Sequence, residues 1–179
     1  RLRLAISSTY WPLAWPSPEA VTLTVDAARS KADLSVLPSF AGLGGVKFGP
    51  ARSAPDAPMT EAIPDKETRT IHYAVETQTT TFDIRSDDGQ YTLDEIGTEL
   101  TSTRTKTYSI QRDDPATCRS VVGCTQTYKR GNWDARVDTE VAISCDDRFF
   151  YMTGWVKAYE HGKIFATRDY QEKIKRDCM

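Results

Sequence analysis

Two histidines, four cysteines, three Asp-Asp pairs and one glycine-rich stretch are the groups in this 179-residue chain from which chemistry could be built. Acyl transfer by a serine hydrolase needs a nucleophile on a sharp strand-to-helix turn, normally Gly-x-Ser-x-Gly, with an acid and a histidine following in chain order. No such pentapeptide occurs. His72 falls on the polar face of a predicted strand and His161 in a predicted hairpin turn between Glu160 and Gly162, so both read as solvated surface groups rather than bases. Asp87-Asp88, Asp113-Asp114 and Asp146-Asp147 have the make-up of calcium ligands or of an acid and base pair. Each lies where a turn is expected, however, and Asp caps turns by bonding local amides. Gly42 to Gly49 misses the G-x-G-x-x-G spacing, lacks a following Gly-Lys-Ser/Thr, and reads as a flexible connection. These groups yield no catalytic residue, no metal site and no cofactor.

Cys118, Cys124, Cys145 and Cys178 contain no C-x-x-C pair, which argues against structural zinc. A Cys118–Cys124 disulfide is open to an oxidising compartment, but free thiols are the expectation, and with them a cytoplasmic location. Lys and Arg number 23 against 25 Asp and Glu, a net charge of -2, so no broad basic field is present for nucleic acid. No apolar run reaches the roughly 20 residues that span a bilayer, and no charged, apolar and small-residue pattern of a secretory leader stands at the start, which reads as cut from a longer chain and leaves a leader on the parent protein open. A chain of this length can bury roughly 70% of its unfolded surface in one core, which makes a single domain over 1–179 the expectation.

The aromatic residues remain. Tyr10, Trp11 and Trp15 lie on a segment whose Pro12, Pro16 and Pro18 fix φ and remove backbone donors, so it must cross an edge or end of a sheet rather than enter it. They are the candidate binding residues, an interdomain or substrate-cleft surface. Phe149, Tyr151, Trp155 and Tyr159, on one face of a predicted strand, are the alternative, a stacking surface for sugar rings.

The elements that position these residues are strands. Leu2, Leu4 and Ile6 alternate with Arg1, Arg3 and Ala5, and Val21, Leu23 and Val25 with Thr22, Thr24 and Asp26, which predicts a strand on each side of the crossing. Residues 27–66, broken by glycines and prolines apart from Leu34 to Leu37, predict a long irregular connection. A meander follows through Ile71, Tyr73 and Val75, then Phe82 and Ile84, a turn at Asp87-Asp88-Gly89, and Tyr91 with Leu93. Leu93 to Leu100 predicts a loop or single turn, and Thr103 to Ile110 another strand. Trp133 to Ile143 alternates with Trp133, Ala135, Val137, Thr139, Val141 and Ile143 toward a core. Phe149 to Tyr159 is apolar on both faces and predicts a strand covered on both sides; it turns at Glu160 to Lys163 into Ile164 to Asp169. An Asp114-Pro115 step followed by Arg119 predicts a loop-locking ion pair. The whole predicts an all-β, two-sheet antiparallel sandwich.

The segment Arg1 to Glu19 (RLRLAISSTYWPLAWPSPE), then VTLTV, then DDPATCR from Asp113 to Arg119, and EKIKRD at the end, resembles the C-terminal domain of CocE/NonD serine hydrolases, the cocaine esterase and X-Pro dipeptidyl-peptidase family. The resemblance runs in order along nearly the whole chain. It departs at the end, where the family has Ile-Pro-Arg-Asp and this chain has Ile174-Lys175-Arg176-Asp177. It implies a jelly-roll topology, with the first strand or strands missing, packed on an α/β-hydrolase domain whose Ser-His-Asp triad cleaves acyl esters or X-Pro peptides and whose cleft it helps to wall. No triad residue maps onto this sequence, so the segment is expected to be inactive alone. Two other expectations stand beside it: a free-standing carbohydrate-binding sandwich, and a homo-oligomer joined through an unpaired strand edge.

Overall fold

Threonine and β-branched runs favour extended backbone because their side chains are stiff at χ1 and suit a pleated surface. In the computed structural model, which describes residues 3–19, 21–36 and 47–176, they build eight strands and no helix. These are β1 (Met59–Ile63), β2 (Lys66–Ala74), β3 (Thr79–Leu93), β4 (Thr98–Gln111), β5 (Asp114–Arg130), β6 (Trp133–Cys145), β7 (Phe149–Glu160) and β8 (Lys163–Lys175). All pairings are antiparallel, and from β3 to β8 each strand pairs with the next in a meander. The fold is therefore all-β, an open eight-stranded sheet consistent with a β-sandwich. By contact the chain divides into a unit of residues 1–22 and 57–179, which holds the sheet, and a second unit, Leu23–Asp56.

Both β1 and β2 pair with β3, end to end along it. Pro64 breaks what would be one long edge strand, since it has no N–H for the ladder. On the other side of the break β3 carries two residues, Asp88 and Gly89, between its pairings Asp87–Thr103 and Gln90–Thr101, so only Ser102 faces them. The expected turn at Asp87-Asp88-Gly89 is thus a β-bulge inside a continuous strand. Asp87 does cap locally, accepting the Gly89 amide at 3.0 Å, while Asp88 holds Arg104 at 2.8 Å.

Several expected elements differ. Arg3 to Ile6 and Val21 to Asp26 form no ladder, and Leu4 and Ile6 stand 77% and 59% exposed. Alternation supplies the faces of a strand but not the hydrogen-bonding neighbour, and among the described residues no strand pairs with either segment. The irregular region ends earlier than residue 66, because Met59 to Ile63 finds the free end of β3. Strand β5, with Gly123 at its middle, was not expected; its Thr117, Val121, Val122, Thr125 and Thr127 are the β-branched signal. The predicted Asp114–Arg119 ion pair does not form: the Asp114 carboxylate accepts the Ala116 amide at 3.1 Å instead.

Within Leu23–Asp56 the described residues hold no helix or strand. Asp26 organises a turn there, accepting the amides of Ala28 and Arg29 and the Arg29 guanidinium at 2.6 Å. Residue 37 and the glycines at 42, 44 and 45 lie outside the described residues.

Candidate functional site: the aromatic strap and its arginine clamp

The buried apolar residues of the sheet unit gather at one end of one face, while Thr98, at the other end of β4, is a buried polar residue. Successive ladder pairs put Phe82, Tyr108, Ser120, Ile143 and Met152 in a row across β3 to β7. The neighbouring row holds Cys145, Phe150 and Ile174, with Cys118 beside Cys145. Cys118, 1% exposed, and Cys145 are the buried apolar residues of the described chain. Along the face of β6 expected to be core, Ala135, Val137, Thr139 and Ile143 are half-buried, while Trp133 and Val141 remain exposed.

What covers this end is the Tyr10 to Pro18 segment, folded down as a strap. Tyr10 O accepts the amides of Leu13 and Ala14 at 2.8 and 3.0 Å, and the Trp11–Pro12 peptide is cis. The tight turn points two indoles the same way. Trp11 and Trp15 lie 4.6 Å apart between ring centroids, Trp11 meets Tyr108 edge-on at 6.0 Å, and Trp15 meets Phe150 at 5.2 Å. Such pairs add about 0.5–1.5 kcal/mol each beyond the area they bury. The three residues singled out by sequence therefore separate: Trp11 and Trp15 are half-buried against the chain's own sheet, while Tyr10 stands 68% exposed beside Leu13.

Arg176 fastens the strap and went unread as a site residue, although the closing EKIKRD motif contains it. Following the last ladder residue of β8, it is 8% exposed, with Nη2 donating to Pro16 O at 2.6 Å and Nη1 to Asp146 O at 2.9 Å. Its guanidinium carbon sits 4.7 Å from the Phe150 ring centroid. Among the described residues its buried Nε has no partner. One cation thus ties the strap, the β6–β7 turn and the end of β8 together through charge-assisted bonds.

The turn that Arg176 grips is itself capped. Asp146 accepts the amides of Arg148 and Phe149, both at 2.7 Å, and the Tyr151 hydroxyl at 2.5 Å. The Tyr151 bond, followed by the Arg148 amide, holds the Asp146 carboxyl below the ordinary carboxylate range, and the same bond raises the Tyr151 phenol. A carboxylate depressed by folding contributes stability above its unfolded pKa and loses it as pH falls through the lower folded value. A phenol raised by folding contributes below its unfolded pKa and loses it as pH rises through the higher one. The cap should be intact between about pH 4 and 10, and acid melts of Asp146→Asn should show a shallower fall of Tm below pH 4 than wild type. Equal slopes would remove Asp146 as the titrating group.

Against the strap lies an open cavity of about 180 Å³, between Ser8, Thr9, Ser17 and Glu19 on one side and Ile110, Asp113 and Pro115 on the other. Its hydroxyls and carboxylates can accept and donate hydrogen bonds, and neither histidine lines it. His72 is on β2, 3.8 Å from Asp83, and His161 sits at positive φ in the β7–β8 turn. Among the described residues no three His, Cys, Asp or Glu side chains gather as a metal site.

The Phe149, Tyr151, Trp155 and Tyr159 face is occupied by basic side chains. Lys173 lies 3.9 Å from the Phe149 ring and 5.5 Å from Tyr151, Lys157 is 4.8 Å from Trp155, and Arg136 is 4.1 Å from Tyr159. The charged groups themselves lie over the ring faces as cation–π contacts. The three described cysteines, Cys118, Cys124 and Cys145, are free thiols. Cys118 and Cys124 lie six residues apart on one strand, about 20 Å, which excludes a bond between them. In comparison with known proteins, no family model, no curated protein and no solved structure matches the chain.

Proposed function

We propose that this chain is the non-catalytic C-terminal jelly-roll domain of a CocE/NonD-like serine hydrolase, which packs on the α/β-hydrolase domain and walls its cleft. The observation that carries the reading is an apolar flank left exposed among the described residues. Leu4, Ile6, Tyr10 and Leu13 are all exposed on the strap and its approach, while the strap itself is clamped rigidly to the sheet. Several large apolar side chains exposed within ten residues of chain support an interaction surface. The family resemblance supplies the occupant, and Tyr10 with Leu13 forms the part of the strap that faces it.

The carbohydrate reading is the weaker one, because the rings it needs already carry the cations of Lys157, Lys173 and Arg136. Mixing the chain with a separately expressed catalytic and cap region of a CocE/NonD hydrolase tests the first reading. We expect a saturable complex that Tyr10→Ala/Leu13→Ala weakens at least tenfold with Tm unchanged. The chain alone should not turn over p-nitrophenyl acetate. Turnover abolished by a serine-directed inhibitor, or tryptophan fluorescence that saturates with an oligosaccharide and not with the hydrolase, would overturn the assignment.

A further inference from the structure

We infer that Cys118 and Cys145 form a latent dithiol site, able to close as a cross-strand disulfide beneath the aromatic strap. The β5–β6 ladder ends at the pair Arg119–Ser144. Extending that register by one residue brings Cys118 and Cys145 to the same point of one face, where Cys145 Sγ lies 3.7 and 3.8 Å from the Pro115 and Ala116 carbonyl oxygens. Opposed residues of antiparallel strands have Cα atoms roughly 4.5–5.5 Å apart, inside the roughly 4.4–6.8 Å that a disulfide requires. Two cysteines in register at one buried point are not needed for packing alone, since alanine or valine fills such a position without a thiol.

The strap governs access. Cys118 is 1% exposed, Phe150 beside Cys145 is covered by Trp15, and Arg176, which pins Pro16, carries its positive charge close enough to both thiols to favour their ionised forms. Burial outweighs that charge and pushes the Cys118 thiol up to about 12. With the strap down, little thiolate exists and no oxidant reaches it. The reaction belongs to the lifted state. One thiolate attacks a sulfur of glutathione disulfide and releases a glutathione thiolate; the second thiolate then attacks the mixed disulfide and releases another. The glutathione disulfide gains two electrons, the protein thiols lose them, and their two protons end on two glutathione molecules. The new bond fixes the end of β6 that carries the Arg176 contact at Asp146.

The test is peptide mapping of the full chain after incubation with glutathione disulfide at pH 8, with Tm followed in parallel. We expect a Cys118–Cys145 linked peptide and a Tm higher by about 10 °C, both reversed by dithiothreitol and neither found in Cys145→Ser. Formation should be slow in wild type and at least tenfold faster in Arg176→Ala. If Arg176→Ala folds poorly, Arg176→Met, which loses both bonds to Pro16 O and Asp146 O, should show the same acceleration. Separate glutathione adducts on Cys118 and Cys145 with no linked peptide would overturn the site, and an unchanged rate in Arg176→Ala would overturn its gating by the strap.

Discussion

Replacing Arg176 with alanine should lower stability by about 3 kcal/mol, seen as a fall in Tm of roughly 6–12 °C and a red shift of tryptophan emission in the folded protein. Each hydrogen bond from a charged donor contributes about 1.5–3 kcal/mol, and Arg176 makes two, to Pro16 O and Asp146 O. Relief of the buried charge offsets part of this, because among the described residues no carboxylate pairs with the guanidinium and its Nε has no partner. The emission shift follows from geometry. Without the bond to Pro16, Trp15 has only Phe150 and Trp11 to hold it, and water reaches all three rings. Arg176→Met keeps the stem over Phe150 while removing both bonds, so its loss should fall between alanine and wild type. If Arg176→Met melts with wild type, the clamp contributes nothing and the strap is held by its rings alone.

That clamp also shows where sequence reading stops. Strands β4, β6, β7 and the start of β8 were legible because alternation and β-branched runs are local properties, and the hairpin turn at His161 and Gly162, both at positive φ, was legible for the same reason. That Tyr10 to Pro18 stays out of the ladder followed from its prolines, although the strands expected on either side of it do not form. The direction of its rings did not: whether Trp11 and Trp15 face a partner or their own sheet depends on Tyr108 and Phe150, more than 90 residues away. Arg176 is farther still from Pro16, and nothing local distinguishes a buried arginine from the 22 other Lys and Arg residues. Leu4, Ile6, Val21 and Leu23 have the pattern of strands and are not strands, because pairing requires an edge that a pattern cannot supply. In the same way Cys118 and Cys145 look unrelated at 27 positions apart, and only the register of β5 on β6 brings them opposite each other.

Gly89→Ala should be the most costly single-methyl substitution in the chain, at about 3–4 kcal/mol. Two terms add. Gly89 has φ of +73°, where an L side chain costs about 1–2 kcal/mol. A Cβ added there would also overlap Ile63 O and fall 2.9 Å from the Pro64 carbonyl carbon, and backbone cannot swing aside as a flexible side chain can. Relief requires the bulge to open or the Ile63–Gln90 pairing to break, freeing β1 from the edge of β3. Gly131 separates the two terms, since its φ is +55° and an added methyl would meet nothing within 4 Å. Gly131→Ala should therefore lose only the conformational term, about 1 kcal/mol. Urea unfolding of both variants gives the comparison, and hydrogen exchange should show the β1 amides of Gly89→Ala losing protection ahead of those in β5 and β6. Equal losses at the two glycines would mean that the bulge yields freely, and that β1 is not held at the site where Pro64 and Gly89 meet.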